Sequence, residues 1–252
     1  MKTRRGYYLV YLFFTVLSGA AQNANDGRNA EKITAVFYKM NAYSGDNKEK
    51  AVVPADVQLR LDEYKAARDN AEFGLYYTKS KSLFKAVEKL ETSETSSQTL
   101  TALLGGGIRY CNAITKEKIK QLETLGEKFN IMIPFDEYKW NITTETKQIN
   151  GYTCYKATSH KEEFSKFRNK TVTVDPFVWF TPEIPAPFGP IGLDGLPGLV
   201  LEGSANGKTY FYATKIVFDY QDKKVAIEKP AKGKYVTSAE LEAIQIEAMS
   251  KN

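Results

Sequence analysis

The seventeen residues from Pro182 to Gly198 hold five prolines and four glycines, a density that excludes a regular helix or strand through them. Pro182, Pro185, Pro187, Pro190 and Pro197 each fix φ and remove a backbone donor. Gly189, Gly192, Gly195 and Gly198 permit turns and close backbone approach. The segment is also apolar, with Ile184, Phe188, Ile191, Leu193, Leu196 and, just after it, Leu199. So long an apolar loop does not stand in water, so it folds over one face or end of the structure as a plug or lid. It either closes the core or borders an apolar groove or partner surface. Gly and Pro shape backbone and carry no reactive group, so this segment constrains architecture more than chemistry.

The rest of the chain reads as strands. Sixteen tyrosines and fourteen phenylalanines suit pleated sheet better than helix. Strands are expected over 33–40, 72–79, 108–114, 129–133, 199–204 and 208–220, and over 172–180 with a break at Pro176. The clearest hairpin runs from Tyr138 to His160 through Asn150-Gly151, a pair that tolerates positive φ. A two-residue loop there puts Cys154 opposite Lys147, and Ala157 on the face of Trp140. Val57, Leu61 and Tyr64 predict a short helix over 54–68, and Thr237-x-x-Glu240 is a capping box opening a C-terminal helix. Residues 91–101 read as a surface excursion. Gly105-Gly106-Gly107 reads as a turn, since no Gly-Lys-Ser/Thr follows it. The expected fold is mainly β: a single-domain curved antiparallel sheet or open barrel with short helices, including one at the C-terminus.

Residues 1–21 have the form of a secretory signal peptide: Lys2, Arg4 and Arg5, an apolar run from Tyr7 to Leu17, then Ser18-Gly19-Ala20-Ala21. The apolar run is shorter than the ~20 residues a spanning helix needs, so no transmembrane span is expected in the mature chain. Residues 22–252 are expected to form one β-rich domain. Removing the leader takes three of the 35 basic residues and none of the 30 acidic ones. The near balance that remains, with Lys and Glu interspersed as in Lys116-Glu117-Lys118, reads as solvated faces and excludes a nucleic-acid stripe. Export makes a Cys111–Cys154 disulfide one reading of the two cysteines; two small buried hydrophobes is the other.

Candidates for chemistry are few. His160 is the sole histidine and lies in the polar run Ser159-His160-Lys161-Glu162-Glu163, the setting of a solvent-facing turn. Ser204 sits one place too early for a nucleophile elbow, and a hairpin follows it instead of a helix. One histidine and two distant cysteines make no zinc motif, and no calcium loop is present. Glu183 and Glu202 flank the Gly/Pro segment as a candidate carboxylate pair.

Several motifs together resemble the GLPGLI family, a Porphyromonas-type family of exported Bacteroidetes proteins of unknown function. They are Tyr138-Lys139-Trp140, Ile149-Asn150-Gly151-Tyr152-x-Cys154-x-Lys156-Ala157, Trp179-Phe180-Thr181-x-Glu183-Ile184-Pro185, Gly189-Pro190 and Gly195-Leu196-Pro197-Gly198-Leu199-Val200-Leu201. Val200 stands where the family name has Ile. The resemblance implies an exported protein, periplasmic or outer-membrane associated, and brings no catalytic residues, cofactor or metal. The resulting expectation is a non-enzymatic domain that binds an apolar ligand or an envelope protein. The alternative is a hydrolase using carboxylates near the Gly/Pro-rich loop.

Overall fold

The computed structural model describes residues 31–42, 54–87, 107–166 and 168–251. The expected leader, the 91–101 excursion and Gly105-Gly106 lie outside the described residues.

Short runs of β-branched and aromatic residues separated by tight turns give fourteen strands among the described residues. They are β1 (Thr34–Ala42), β2 (Phe73–Tyr77), β3 (Lys81–Ala86), β4 (Ile108–Asn112), β5 (Glu117–Thr124), β6 (Glu127–Ile133) and β7 (Asn141–Ile149). The series continues with β8 (Tyr152–Thr158), β9 (Lys161–Ser165), β10 (Lys170–Val174), β11 (Phe177–Thr181), β12 (Leu199–Ser204), β13 (Thr209–Val217) and β14 (Lys234–Thr237). Two helices accompany them, α1 (Ala55–Asn70) and α2 (Ser238–Ser250). Twelve strands form one open sheet in the order β14-β6-β5-β4-β3-β2-β1-β13-β12-β11-β8-β7, while β9 and β10 pair separately. The mainly β fold is as expected. The sheet is mixed, however, because β14 lies parallel to β6.

The Asn150-Gly151 hairpin forms with both turn residues at positive φ, and Lys147 pairs with Cys154. A bulge between Ile142 and Thr146 interrupts the ladder, and Ala157 still packs in one cluster with Trp140. Pro176 does more than mark a bulge: it separates β10, in the small sheet, from β11, inside the large one. The stretch between the strands expected over 108–114 and 129–133 contains the whole of β5. At the C-terminus the capping box is complete. Thr237 Oγ1 accepts from the Glu240 N–H, and Glu240 accepts from the Thr237 N–H. Helix α1 forms where Val57, Leu61 and Tyr64 predict it, but buries none of its residues.

The main core joins Val36, Tyr38, Phe73, Leu75, Phe84 and Phe211. Phe73 meets Phe211 edge-on at 5.2 Å between ring centroids and stacks on Phe84 at 6.0 Å. Ile184, Ala186 and Phe188 from the Gly/Pro loop belong to this core, whereas Leu193 and Leu196 enter a second cluster with Ala157, Val178, Phe180 and Val200. The loop's apolar residues are thus covered by the protein's own core. Each fully buried side chain of this kind contributes about 1.5–3 kcal/mol, enough to hold the loop down.

Candidate functional site

Between Glu183 and Glu202 the chain has one charged residue, Asp194. The segment before it is a single 3-10 turn, Pro190–Gly192, which Ile191 leaves at φ 48°. A β-branched residue there is strained by roughly 1–2 kcal/mol. Ile191 packs against both core clusters, which holds that conformation in place. The turn delivers the Asp194 carboxyl inward, where Oδ1 accepts the Gly189 N–H at 2.9 Å. A Cβ on Gly189 would overlap the Leu193 carbonyl, and one on Gly198 the Thr181 carbonyl, so both positions require glycine for close backbone approach.

Strands β4 and β5 present the opposing charges. Cys111 pairs with Lys118 and Arg109 with Lys120, which sets these four side chains on one face. Lys118 Nζ lies 3.6 Å from Asp194 Oδ2 and 3.9 Å from Glu137 Oε2, and donates to the Gly192 carbonyl at 3.1 Å. Only 5% of the Lys118 side chain and 8% of Asp194 are exposed. Lys161 holds the other oxygen of Glu137 at 3.0 Å. The two carboxylates are therefore bridged by one buried ammonium. Trp140 Nε1–H donates to the Asp194 carbonyl at 2.9 Å, and Lys118 sits 5.5 Å from the centroid of the Tyr138 ring. The free space among Arg109, Cys111, Lys118, Glu137 and Asp194 is about 10 Å³, close to what one water requires.

Burial governs the electrostatics. It raises the Asp194 carboxyl above its ordinary value even though Lys118, the Gly189 N–H and Arg109 all pull it down. Burial also lowers the Arg109 guanidinium. Lys120 is pushed down to about 8, first by burial and then by neighbouring Arg109. The Cys111 thiol is pushed up to about 12 and Cys154 to about 11, both chiefly by burial, so neither is a ready nucleophile. Both cysteines stand as free, buried thiols.

The carboxylates singled out in the sequence do not converge. Glu183 is exposed and accepts the Thr153 N–H at 2.8 Å, tying the loop to the start of β8. Glu202 pairs with Lys147 at 2.8 Å, and that lysine lies 4.4 Å from the Trp179 ring centroid. His160 is an exposed side chain with Nδ1 2.7 Å from Asp175 Oδ1. The other family-motif residues shape backbone. Gly151 completes the hairpin turn, Gly195 (φ 97°) donates its N–H to the Pro187 carbonyl, and Leu199 N–H reaches the Ile184 carbonyl. Leu196 is buried; Pro185 and Pro197 are exposed. Reading Lys116-Glu117-Lys118 as a solvated face is corrected, since Lys118 points into the core. Among the described residues no group of three His, Cys, Asp or Glu could hold a metal, and no helix is long and apolar enough to cross a membrane.

A family model described as "Protein of unknown function (Porph_ging)" matches residues 160–202, a span that runs from His160 through the Gly/Pro loop into β12. It links this part of the chain to a Bacteroidetes-associated family. No curated protein matches the chain by sequence. Two crystal forms of PNGF-II are similar in structure, at 14% and 13% identity over 86% and 84% of this chain, each with a TM-score of 0.49. The chain spans about a third, 33%, of PNGF-II. At this similarity neither structure carries an argument about what this chain does, and the expectation of a non-enzymatic domain is not kept. The case for any activity of this chain rests on its own residues.

Proposed function

We propose that the protein is an exported, GLPGLI-type hydrolase whose acid–base centre is Asp194 and Glu137 bridged by Lys118. The alternative of carboxylates near the Gly/Pro loop is kept, with different carboxylates. The observation that carries this reading is the buried carboxyl of Asp194, raised by desolvation and set against a second carboxylate held by two lysines. Titratable groups perturbed by burial and by specific charge partners cluster at functional centres. In the proposed reaction Glu137 takes the proton of a water, the water oxygen attacks the electrophilic carbon, and the fraction of Asp194 that burial keeps protonated gives its proton to the leaving group. Lys118 and Arg109 face the negative charge that develops. Access requires the Gly192–Asp194 stretch to move, breaking the Lys118–Gly192 and Trp140–Asp194 tethers, while Ile184, Ala186 and Phe188 keep the rest of the loop on the core.

The test is turnover of p-nitrophenyl esters, p-nitrophenyl glycosides and chromogenic peptide amides by wild type, Asp194→Asn and Glu137→Gln. Loss of about 10²-fold or more in both variants, with unchanged circular dichroism, supports the reading. If no substrate is turned over and Asp194→Asn changes stability only, the cluster is a clamp for the loop and the hydrolase reading fails. The family match and the leader-like residues 1–21 support export; amino-terminal sequencing of the periplasmic or outer-membrane fraction should begin at Gln22.

A further inference from the structure

A second site lies at the β7 end of the sheet, separate from the Asp194 cluster. Asn141 on β7 pairs with Thr158 on β8, which pairs with Phe177 on β11. Cross-strand neighbours share a face, so an amide, a hydroxyl and an aromatic ring lie side by side across three strands. They floor an open groove of about 660 Å³, the size of a small-ligand site. Pro176 extends the apolar floor, and its carbonyl is fixed by the Ser159 N–H at 2.8 Å.

The charges along this groove are matched except at one point. Asp175 is answered by His160 at 2.7 Å, and Lys156 by both oxygens of Glu145 at 3.0 Å. Lys139, also on the wall, has no carboxylate partner among the described residues. The groove therefore offers one unmatched cation, neutral hydrogen-bonding groups beside it and an apolar ring below.

We propose that this groove binds a small organic anion, with a carboxylate or phosphate head on Lys139, Asn141 and Thr158 and a flat apolar body against Phe177 and Pro176. Neither part suffices alone: an exposed lysine holds a bare anion weakly, and one ring holds a neutral apolar molecule weakly.

The experiment is a calorimetric titration of the protein with phenyl phosphate, benzoate, benzyl alcohol and inorganic phosphate. Phenyl phosphate or benzoate should bind with Kd on the order of 0.1–1 mM, the stronger of the two identifying the head group, and the other two compounds at least tenfold more weakly. Lys139→Gln, on an exposed side chain, and Phe177→Leu should each weaken the preferred anion about tenfold. Benzyl alcohol binding as well as phenyl phosphate, inorganic phosphate binding as well as phenyl phosphate, no binding by either aromatic anion, or an unchanged Kd in Lys139→Gln would each overturn the proposal. Because Asp194 and Glu137 take no part, this outcome is independent of the hydrolase test.

Discussion

Removing Lys118 should cost far more than the ion pair it makes is worth. At 3.6 Å and an effective dielectric of about 20, its attraction to Asp194 is about 4–5 kcal/mol. Desolvating two buried ions costs several kcal/mol each, so the pair's net contribution is near zero. Lys118→Met leaves the Asp194 carboxylate buried without its cation, and should lower stability by about 3–5 kcal/mol. Asp194→Asn should cost only about 1–2 kcal/mol, because an amide oxygen still accepts the Gly189 N–H and Lys118 keeps the Gly192 carbonyl. In the double variant no orphan charge remains, so its loss should fall short of the sum by about 2 kcal/mol. Urea unfolding at pH 7, followed by tryptophan fluorescence, measures all three, and Trp140 reports directly because it donates to Asp194. The sign with pH is also fixed. The folded carboxyl has a raised pKa, so it takes up a proton before the unfolded one does, and the cost of keeping it charged is relieved as pH falls from its folded pKa toward the ordinary aspartate value. The Lys118→Met penalty should therefore shrink in acid. Additivity within about 0.5 kcal/mol, or a penalty that grows in acid, refutes the argument.

Three further outcomes follow from the same geometry. Burial pushes Lys120 down to about 8 in the fold from an ordinary lysine value of 10.5, so the unfolded chain binds more protons across that window and stability rises with pH there. The gain reaches roughly 3 kcal/mol, read as the difference between wild type and Lys120→Met in urea midpoints from pH 7.5 to 10. Cys111 and Cys154, buried and with raised thiol pKa values, should react with a thiol reagent at pH 8 only after denaturant is added; rapid labelling of the native protein contradicts their placement. Gly198→Ala drives a methyl into the Thr181 carbonyl and should cost about 3 kcal/mol or more, whereas Gly151→Ala, at φ 84° with open space around it, should cost only about 1–2 kcal/mol in thermal or urea unfolding.

Most strands were legible because their signals are local. Asn150-Gly151 announces a hairpin, and Thr237 with Glu240 announces a helix start, from residues within four positions of each other. Strand β5 was not legible. Beside buried Ile119, the face it turns toward Asp194 carries Lys118, Lys120 and Leu122, so that face looks like a wet surface until partners for the lysines are known. Those partners, Glu137 and Asp194, come from a loop and a turn remote in sequence. Asp194 did leave a trace, as a lone charge in an apolar Gly/Pro segment where a carboxylate cannot sit without a cation. Glu183 and Glu202 drew notice by flanking that segment, yet the turn at Ile191 points the residue between them inward and leaves these two tied to Thr153 and Lys147.

The pairing of β1 with β13 has a consequence in time. It joins the first described strand to the second-to-last, and it is the seam between a half-sheet of β2 to β6 with β14 and a half-sheet that includes β7, β8, β11 and β12. As the chain is made, Tyr38, Phe73 and Phe84 exist long before Phe211 arrives to cover them. Closing so long a loop before its contacts reward it slows folding. The main core therefore cannot be completed until Phe211 on β13 has been synthesised, however early the β2–β3 and β5–β6 hairpins pair.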